Sequence, residues 1–334
     1  DRDMKNNQEL QNYLSSITYN DFVNININTS EAWVLTNKKV NTVLEKLNKC
    51  PYRLSDVFDK IFQGIATSKD DVYFLYDCRV INPFEIEGYS KYLKKNVVIE
   101  NGLVKPLLKG EDVHRYEPLS SDRFVIFPYD LSNDKAKLFS EQQIATLFPK
   151  GYLYLKECED ELRGREKGRF NNDKWFMFGR GQGINYGGIP KLLAPEISFG
   201  GNFMFDSNGQ YYSTTKIYGY IKKANCLYSY KFLLGLLNSN LFWFFIQNTG
   251  YVLRGGYYTF KTNYVSPFPV PNYEAIDMRQ VSMVENIVDD ILHCKYELTK
   301  DEIASYIKDI DKIIYQLYGL SSEDVKTVNL YATR

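Results

Sequence analysis

The chain has 334 residues, with 41 Lys and Arg against 41 Asp and Glu, 44% hydrophobic residues and 25% charged residues. That composition is ordinary for a soluble globular protein with a sizeable core, and the length suggests roughly two units. Two histidines, His114 and His293, exclude chemistry built on paired histidines, and the cysteines Cys50, Cys78, Cys158, Cys226 and Cys294 form no C-x-x-C pair. A metal site is therefore not expected, and a reducing, cytoplasmic compartment is.

The 28 Tyr and 21 Phe suit interfaces and sheet surfaces, and equally the codon usage of an AT-rich genome. No signal peptide is visible. The longest apolar stretch, Phe232 to Ile246, is broken by Asn238, Ser239 and Asn240 and is too short to span a bilayer. No membrane partner is expected. The zero net charge hides an asymmetry. Between Arg163 and Tyr273 stand 13 Lys and Arg but only Glu166, Asp173, Glu196 and Asp206, a net +9, and no carboxylate lies between Asp206 and Glu274. A surplus of bases of this size points to a polyanion.

In chain order, the opening DRDMKNNQEL lacks apolar periodicity and reads as a cut inside a longer polypeptide. Val40, Leu44 and Leu47 recur at helical spacing before Pro51, which predicts one helix in a connector spanning 1–49. From Leu54 to about Ile126 short strands are predicted, VYFLY and RFVIF among them. A helix is predicted across ECEDELRGREK, then a long exposed loop carrying Gly179, Gly181, Gly183, Gly187 and Gly188. Strands return at KLLAPEISF and QYYSTTKIYGYI. SYKFLLGLLNSNLFWFFIQ, apolar on nearly all sides, predicts a buried helix. VLRGGYYTFKTNYV alternates around a Gly-Gly turn, and SPFPVPN predicts an extended run across the surface.

The tail is predicted helical. Val281, Val284, Ile287, Val288, Ile291 and Leu292 mark one apolar face; Ile303, Ile307, Ile310, Ile314 and Leu317 mark a second. Thr299 with Glu302 forms a capping box, Gly319 suits a left-handed cap, and Ser321–Ser322 begins a short third helix.

No phosphate loop G-x-x-x-x-G-K-[ST] and no G-x-S-x-G elbow occurs. Gly179-Arg180-Gly181-Gln182-Gly183 does not follow a strand and open a helix as a dinucleotide fingerprint must. No catalytic residue is identified. What the chain does carry is the set of parts that DNA readers use: Arg, Gln and Asn for base edges, Lys for phosphates, and glycines that let the backbone come close. They fall in three loop groups, Gln63 to Lys69, Arg180 to Tyr186, and Arg254 to Tyr258. Base contacts are expected among Gln63, Thr67, Arg180, Gln182, Asn185, Tyr186 and Arg254, with Ser68 and Tyr257 as further DNA-binding residues. Phosphate contacts are expected among Lys69, Lys174, Lys216, Lys222, Lys223 and Lys261.

The order of motifs resembles the TaqI-like C-terminal specificity domain of adenine-specific DNA methyltransferases and fused restriction–methylation enzymes. The motifs are IFQGIATSKDDVYFL, KPLLKGEDVHRY, FVIFPYD, LRGREKGRF with a following KW, PKLLAP, KFLLGLLNSNLFWFF, LRGGYYTFK, FPVPN and IDKIIYQLYGLSSEDV, covering about residues 31 to 328. The resemblance implies an α+β, mixed-sheet target-recognition domain with a buried helix over 50–272 and a helical tail over 273–334. Its partners would be double-stranded DNA and an N-terminal catalytic domain. That domain would bind S-adenosylmethionine and flip the target adenine out of the helix; this chain would hold no cofactor. Asn82-Pro83-Phe84-Glu85 lacks the second Pro and the Tyr of the family's catalytic Asn-Pro-Pro-Tyr, so no catalytic role passes to it. Whether the parent enzyme also cleaves DNA stays open. Two alternatives remain: an aromatic-rich carbohydrate-binding or glycosidase-like domain, and a protein-interaction module acting through the acidic tail.

Overall fold

In a computed structural model of the chain, residues 37–132, 135–294 and 297–332 are described, with 11, 12 and 15. Most of the expected connector lies outside these residues, but its helix does not. Helix α1 (Lys38–Asn48) starts at Asn37, whose side-chain oxygen accepts the Val40 N–H at 3.0 Å, and it buries Val40, Val43, Leu44 and Leu47 along one face. The helix-spaced apolar residues thus face a core, as an amphipathic helix must.

Ten strands form two main sheets. They are β1 (Phe58–Gln63), β2 (Phe74–Asn82), β3 (Glu85–Ser90), β4 (Lys95–Glu100), β5 (Val104–Leu108), β6 (Phe124–Ile126), β7 (Lys191–Pro195), β8 (Met204–Asp206), β9 (Tyr212–Ser213) and β10 (Ile217–Lys222). The larger sheet runs β9-β5-β6-β2-β3-β4, and its β9–β5 pair is parallel. The smaller, antiparallel throughout, runs β8-β7-β10-β1. Sheets and helices are segregated, and the fold is α+β.

Each sheet has its own core. The larger sheet packs under α2 (Glu141–Leu147), α3 (Pro149–Glu157) and α4 (Glu159–Gly168), and it encloses Tyr73, Leu75, Val125 and Phe127. Trp175, Phe176, Phe178 and Ile184 join this core. The segment expected to be a long exposed loop is instead pinned by its aromatic side chains, with residues 171–174, 180–181, 185 and 188–190 exposed around them. The smaller sheet packs on α1, α5 (Tyr230–Leu237), α6 (Asn240–Thr249) and the tail helices α7 (Met278–His293), α8 (Lys300–Leu317) and α9 (Ser322–Ala332).

The single buried helix expected from SYKFLLGLLNSNLFWFFIQ is two helices. Asn238 leaves the helix to bond the backbone of Phe203 in both directions, at 2.8 and 3.0 Å, and Ser239 caps α6 through the Phe242 N–H. Local side-chain bonding outcompetes helix continuation at these residue types. SPFPVPN is extended, but Phe268, Pro269 and Val270 are buried, with Pro269–Val270 paired to Tyr52–Arg53. Its backbone runs through the core margin, not over the surface.

The tail forms as its pattern predicts, including the Thr299–Glu302 capping box and Gly319 at φ 62°. The boundary drawn at residue 272 does not coincide with a boundary between cores, because the tail shares its core with α1, α5 and α6. Lys46 of α1 pairs with Asp324 of α9 as well. Asp311 of α8 sits buried against the start of α6, where it accepts the Asn240 N–H at 2.8 Å. Burial pushes its carboxyl up to about 6, against the smaller opposing pull of that N–H and of Arg115.

A carboxyl raised in the folded state binds more protons there than in the unfolded chain. Its penalty is fully present above the folded value and is relieved as pH falls through about 6. Asp311→Asn keeps an acceptor for Asn240 and removes the charge. The variant is expected to melt higher than the parent at about pH 8, with the advantage shrinking below about pH 6 and gone only near about pH 3. Thermal melts of both proteins across that range check it; a pH-independent difference would count against the buried ionised carboxylate.

Candidate nucleic-acid interface

Two of the three loop groups meet in one recess. Gly64 lies so close to the turn after β9 that a β-carbon there would stand 2.2 Å from the Ser213 carbonyl oxygen and 2.3 Å from that of Thr214. Only glycine permits this approach. The next residues run as a strap between two segments. Ile65 N–H bonds Ser213 O at 2.8 Å, while Gly179 and Arg180 N–H bond the carbonyls of Thr67 and Ala66 at 3.1 Å. The strap, Arg180 and Thr215 together wall an open recess of about 370 Å³.

Behind the recess, Arg165 is buried. Its guanidinium donates to the carbonyls of Leu162, Thr67, Trp175 and Met177 at 2.6 to 2.9 Å, and it lies 4.2 Å from the ring centre of Phe170. Helical backbone ends just before this residue, which is itself extended and is followed by positive φ at Glu166 and Lys167.

Several expected contact residues are engaged inside the protein. Thr67 is fully buried; its hydroxyl bonds Asp70 at 2.5 Å and accepts from the Lys69 N–H. Ser68 is exposed and donates to Glu166 at 2.8 Å; this bond, more than Arg169 and Arg180 nearby, holds the Glu166 carboxyl below its usual range. Lys69 pairs with Glu161 at 2.5 Å. Gln182 donates to Gly64 O and to Gln63 Oε1, and Gln63 donates to Thr215 O at 2.7 Å. Tyr186 packs on Phe62 with ring centres 4.7 Å apart, and Asn185 accepts the Ala136 N–H at 2.7 Å. Arg180 is exposed on the rim.

The third group is a hairpin, with Leu253 N–H bonded to Tyr257 O and Thr259 N–H to Tyr251 O. Gly255 and Gly256 both have φ 80°, a conformation that L side chains resist. Arg254 projects from the tip, and among the described residues no ion pair holds it. Tyr257 meets Phe199 edge-on at 5.9 Å, and both rings are half exposed. Lys261 lies 3.7 Å from Glu196, and Lys216 lies 3.7 Å from the same carboxylate.

Glu196, not foreseen, is the link between the groups. Its N–H bonds Lys216 O and its carbonyl accepts the Phe260 N–H. Thr215, one residue from Lys216, lines the recess. Recess, Lys216, Lys261 and the Arg254 hairpin therefore form one strip. Its signal in the sequence was the lone acid in PKLLAPEIS. Lys174 is exposed away from these contacts, and Lys222 is tied back to Cys226 O at 2.8 Å, while Lys223 is partly covered.

The +9 block overstates the free charge. Arg165 and Lys191 are buried, Arg163 pairs with Glu159, and Lys231 pairs with Asp289. Among the described residues no group of three or more His, Cys, Asp or Glu could hold a metal ion, and no helix is long and apolar enough to cross a membrane.

Fold and surface together define an α+β module whose exposed chemistry lies on loops carried by two rigid cores. Residues 105–270 match the TaqI-like C-terminal specificity domain. It is 21% identical over 298 residues to the type II methyltransferase M.XhoI of Xanthomonas vasicola, covering 89% of this chain and 47% of the relative. It is 23% identical over 279 residues to the type II methyltransferase M.BanIII of Aneurinibacillus aneurinilyticus, covering 81% and 44%. The chain thus spans about half the length of these curated relatives. The crystal structure of the type IIG restriction endonuclease BpuSI overlaps 84% of this chain and 33% of its own at a TM-score of 0.46 and 12% identity, too distant to carry residue roles across.

Lys191 ends the strip's glycine loop. Its ammonium bonds Asp206 at 2.6 Å and the carbonyls of Gly187 and Ile189, and burial draws its pKa down while Asp206 pulls the other way. Lys191→Met strands a buried carboxylate and is expected to cost about 3–5 kcal/mol, whereas Lys191→Met with Asp206→Asn costs less than the sum of the two single changes. Denaturant unfolding of the four proteins measures the coupling; additive losses would mean that the two groups do not depend on each other.

Proposed function

We propose that this chain reads the DNA sequence for an adenine-specific methyltransferase of a type II restriction–modification system in the bacterial cytoplasm. Duplex DNA lies along the strip from the recess to the Arg254 hairpin. A separate N-terminal catalytic domain binds S-adenosylmethionine and methylates the adenine that this chain positions. The observation that carries the reading is the placement of the specificity-domain match, residues 105–270: Arg180, Lys216, Arg254 and Lys261 all fall within it and all are exposed.

Chemistry supports the same reading. Arg254 and Arg180 present planar forks of donors, suited to guanine edges or to phosphates. Lys216 and Lys261 flank Glu196, and a single carboxylate between two ammonium groups leaves a local surplus of positive charge.

Binding to mixed-sequence duplex DNA is expected to weaken steeply with salt. With roughly five phosphates neutralised, the log–log slope is near about −4 to −5. In a complex assembled with the catalytic domain, Arg254→Ala distinguishes two roles. A base contact costs about 1–3 kcal/mol on the preferred site and relaxes preference at one base pair; a phosphate contact weakens all sequences alike and reduces the slope by about 1. Titrations on a panel of single-base site variants, beside a melting curve, read both. Salt-independent binding by the parent would remove the electrostatic basis, and an Arg254→Ala protein with unchanged affinity and preference would take the hairpin out of the interface.

A further inference from the structure

Tyr76 of β2 is gripped by two lysines from other segments. Lys91 Nζ lies 3.9 Å from the centre of its ring, and Lys109 Nζ lies 4.9 Å from it. Lys91 follows β3 directly and Lys109 follows β5. A β-bulge begins at Tyr76, where the register with β3 shifts before Arg79 and Asp77 takes φ 50°. Bulges bend a strand and re-aim its side chains.

Three of the neighbouring carboxylates, Glu87, Glu111 and Asp112, are committed elsewhere. Glu87 is held by Arg79 at 2.6 Å, and Asp112 and Glu111 are held by Arg123. Among the described residues no ion pair includes Lys91 or Lys109. Asp71 and Asp77 are exposed nearby in sequence without forming one with either lysine. Two ammonium groups held at one ring repel each other, and the face of the ring offsets only part of that cost. An incoming anion relieves it without having to break an existing ion pair.

The cluster adjoins the recess, whose walls carry Asp70 and Asp71 as well as Lys69 and Arg180. Tyr92 N–H bonds the carbonyl of Asp71, a recess wall, and Lys69 lies 5.8 Å over the Tyr92 ring. On the other side, a β-carbon added to Gly110 would stand 3.4 Å from the Lys216 carbonyl oxygen, so Lys109 directly adjoins the turn that carries Lys216.

We propose that Tyr76, Lys91 and Lys109 form a clamp for the phosphodiester backbone of DNA, gripping the duplex beyond the bases that the loops read. The clamp rests on the DNA-reading function proposed above and adds to it a sequence-independent anchor at the far end of the strip. Tyr76 fixes where the two charges sit; the lysines make the contact.

The test uses the full chain and a mixed-sequence duplex, with binding followed by fluorescence anisotropy between about 50 and 200 mM salt. Lys91→Ala with Lys109→Ala is expected to weaken binding equally on duplexes of unrelated sequence and to make the salt slope shallower by about 1–2, with the melting temperature retained. Lys91→Arg with Lys109→Arg should keep the parent slope, and Tyr76→Phe should bind as the parent does. A double alanine variant with the parent's slope, or a loss confined to one sequence, overturns the clamp while DNA binding by the parent still stands. A parent chain that binds no duplex at the lowest salt overturns both the clamp and the function on which it rests.

Discussion

The guanidinium of Arg165 is the interaction on which the placement of the strap and the recess depends. A buried charge is tolerated only when its donors are matched, and here four carbonyls and an aromatic face take up the fork. Those carbonyls belong to the end of α4, to the strap at Thr67 and to the aromatic segment at Trp175 and Met177. One side chain therefore fixes the relative placement of the strap and of the segment that leads to Arg180. Lysine could not reproduce this, because a single ammonium cannot span acceptors that diverge around a plane. Tyr73 adds a second tie, donating to Phe176 O at 2.7 Å.

The buried pair of Lys191 and Asp206 does for the downstream end of the glycine loop what Arg165 does for its upstream end. Asp206 also accepts the N–H groups of Gln210 and Tyr211, so both partners are fully bonded. Between these anchors the chain is free to present Arg180 and Gly181 to solvent. Rigid ends with a short exposed middle are what a reading loop requires, since a contact made by a floppy loop loses much of its energy to ordering.

Much of this was legible in the sequence, and the rest failed for physical reasons. Amphipathic spacing and caps placed α1, α7 and α8, because their apolar faces and terminal side chains are local properties. The motif series identified the family. The break between α5 and α6 was hidden, since Asn238 is spent on Phe203, a partner 35 residues away. The packing of the glycine segment was hidden too: its glycines suggested exposure, while Trp175, Phe176 and Phe178 between the charges carry it into the core. Net charge misled most. Arg165 and Lys191 count toward a basic block in the sequence but serve as internal staples, while Lys91 and Lys109, outside that block, sit on the Tyr76 ring and enter no ion pair among the described residues.

This partition bears on how specificity arises. Gln63 and Gln182, the residue types best suited to reading adenine, already bond each other, Gly64 and Thr215. Turning either toward a base would leave a half-buried acceptor of the strap without its partner, a loss of about 1–3 kcal/mol that the new contact must exceed. Arg180 and Arg254 carry no such cost, because neither holds the fold together. On the proposed function, the glutamines hold the shape of the recess and discrimination would fall to the exposed side chains of Arg180 and Arg254. Under the proposed function, such a surface would change its target by exchange of exposed residues at two loop tips, while the buried staples that define the loops stay as they are.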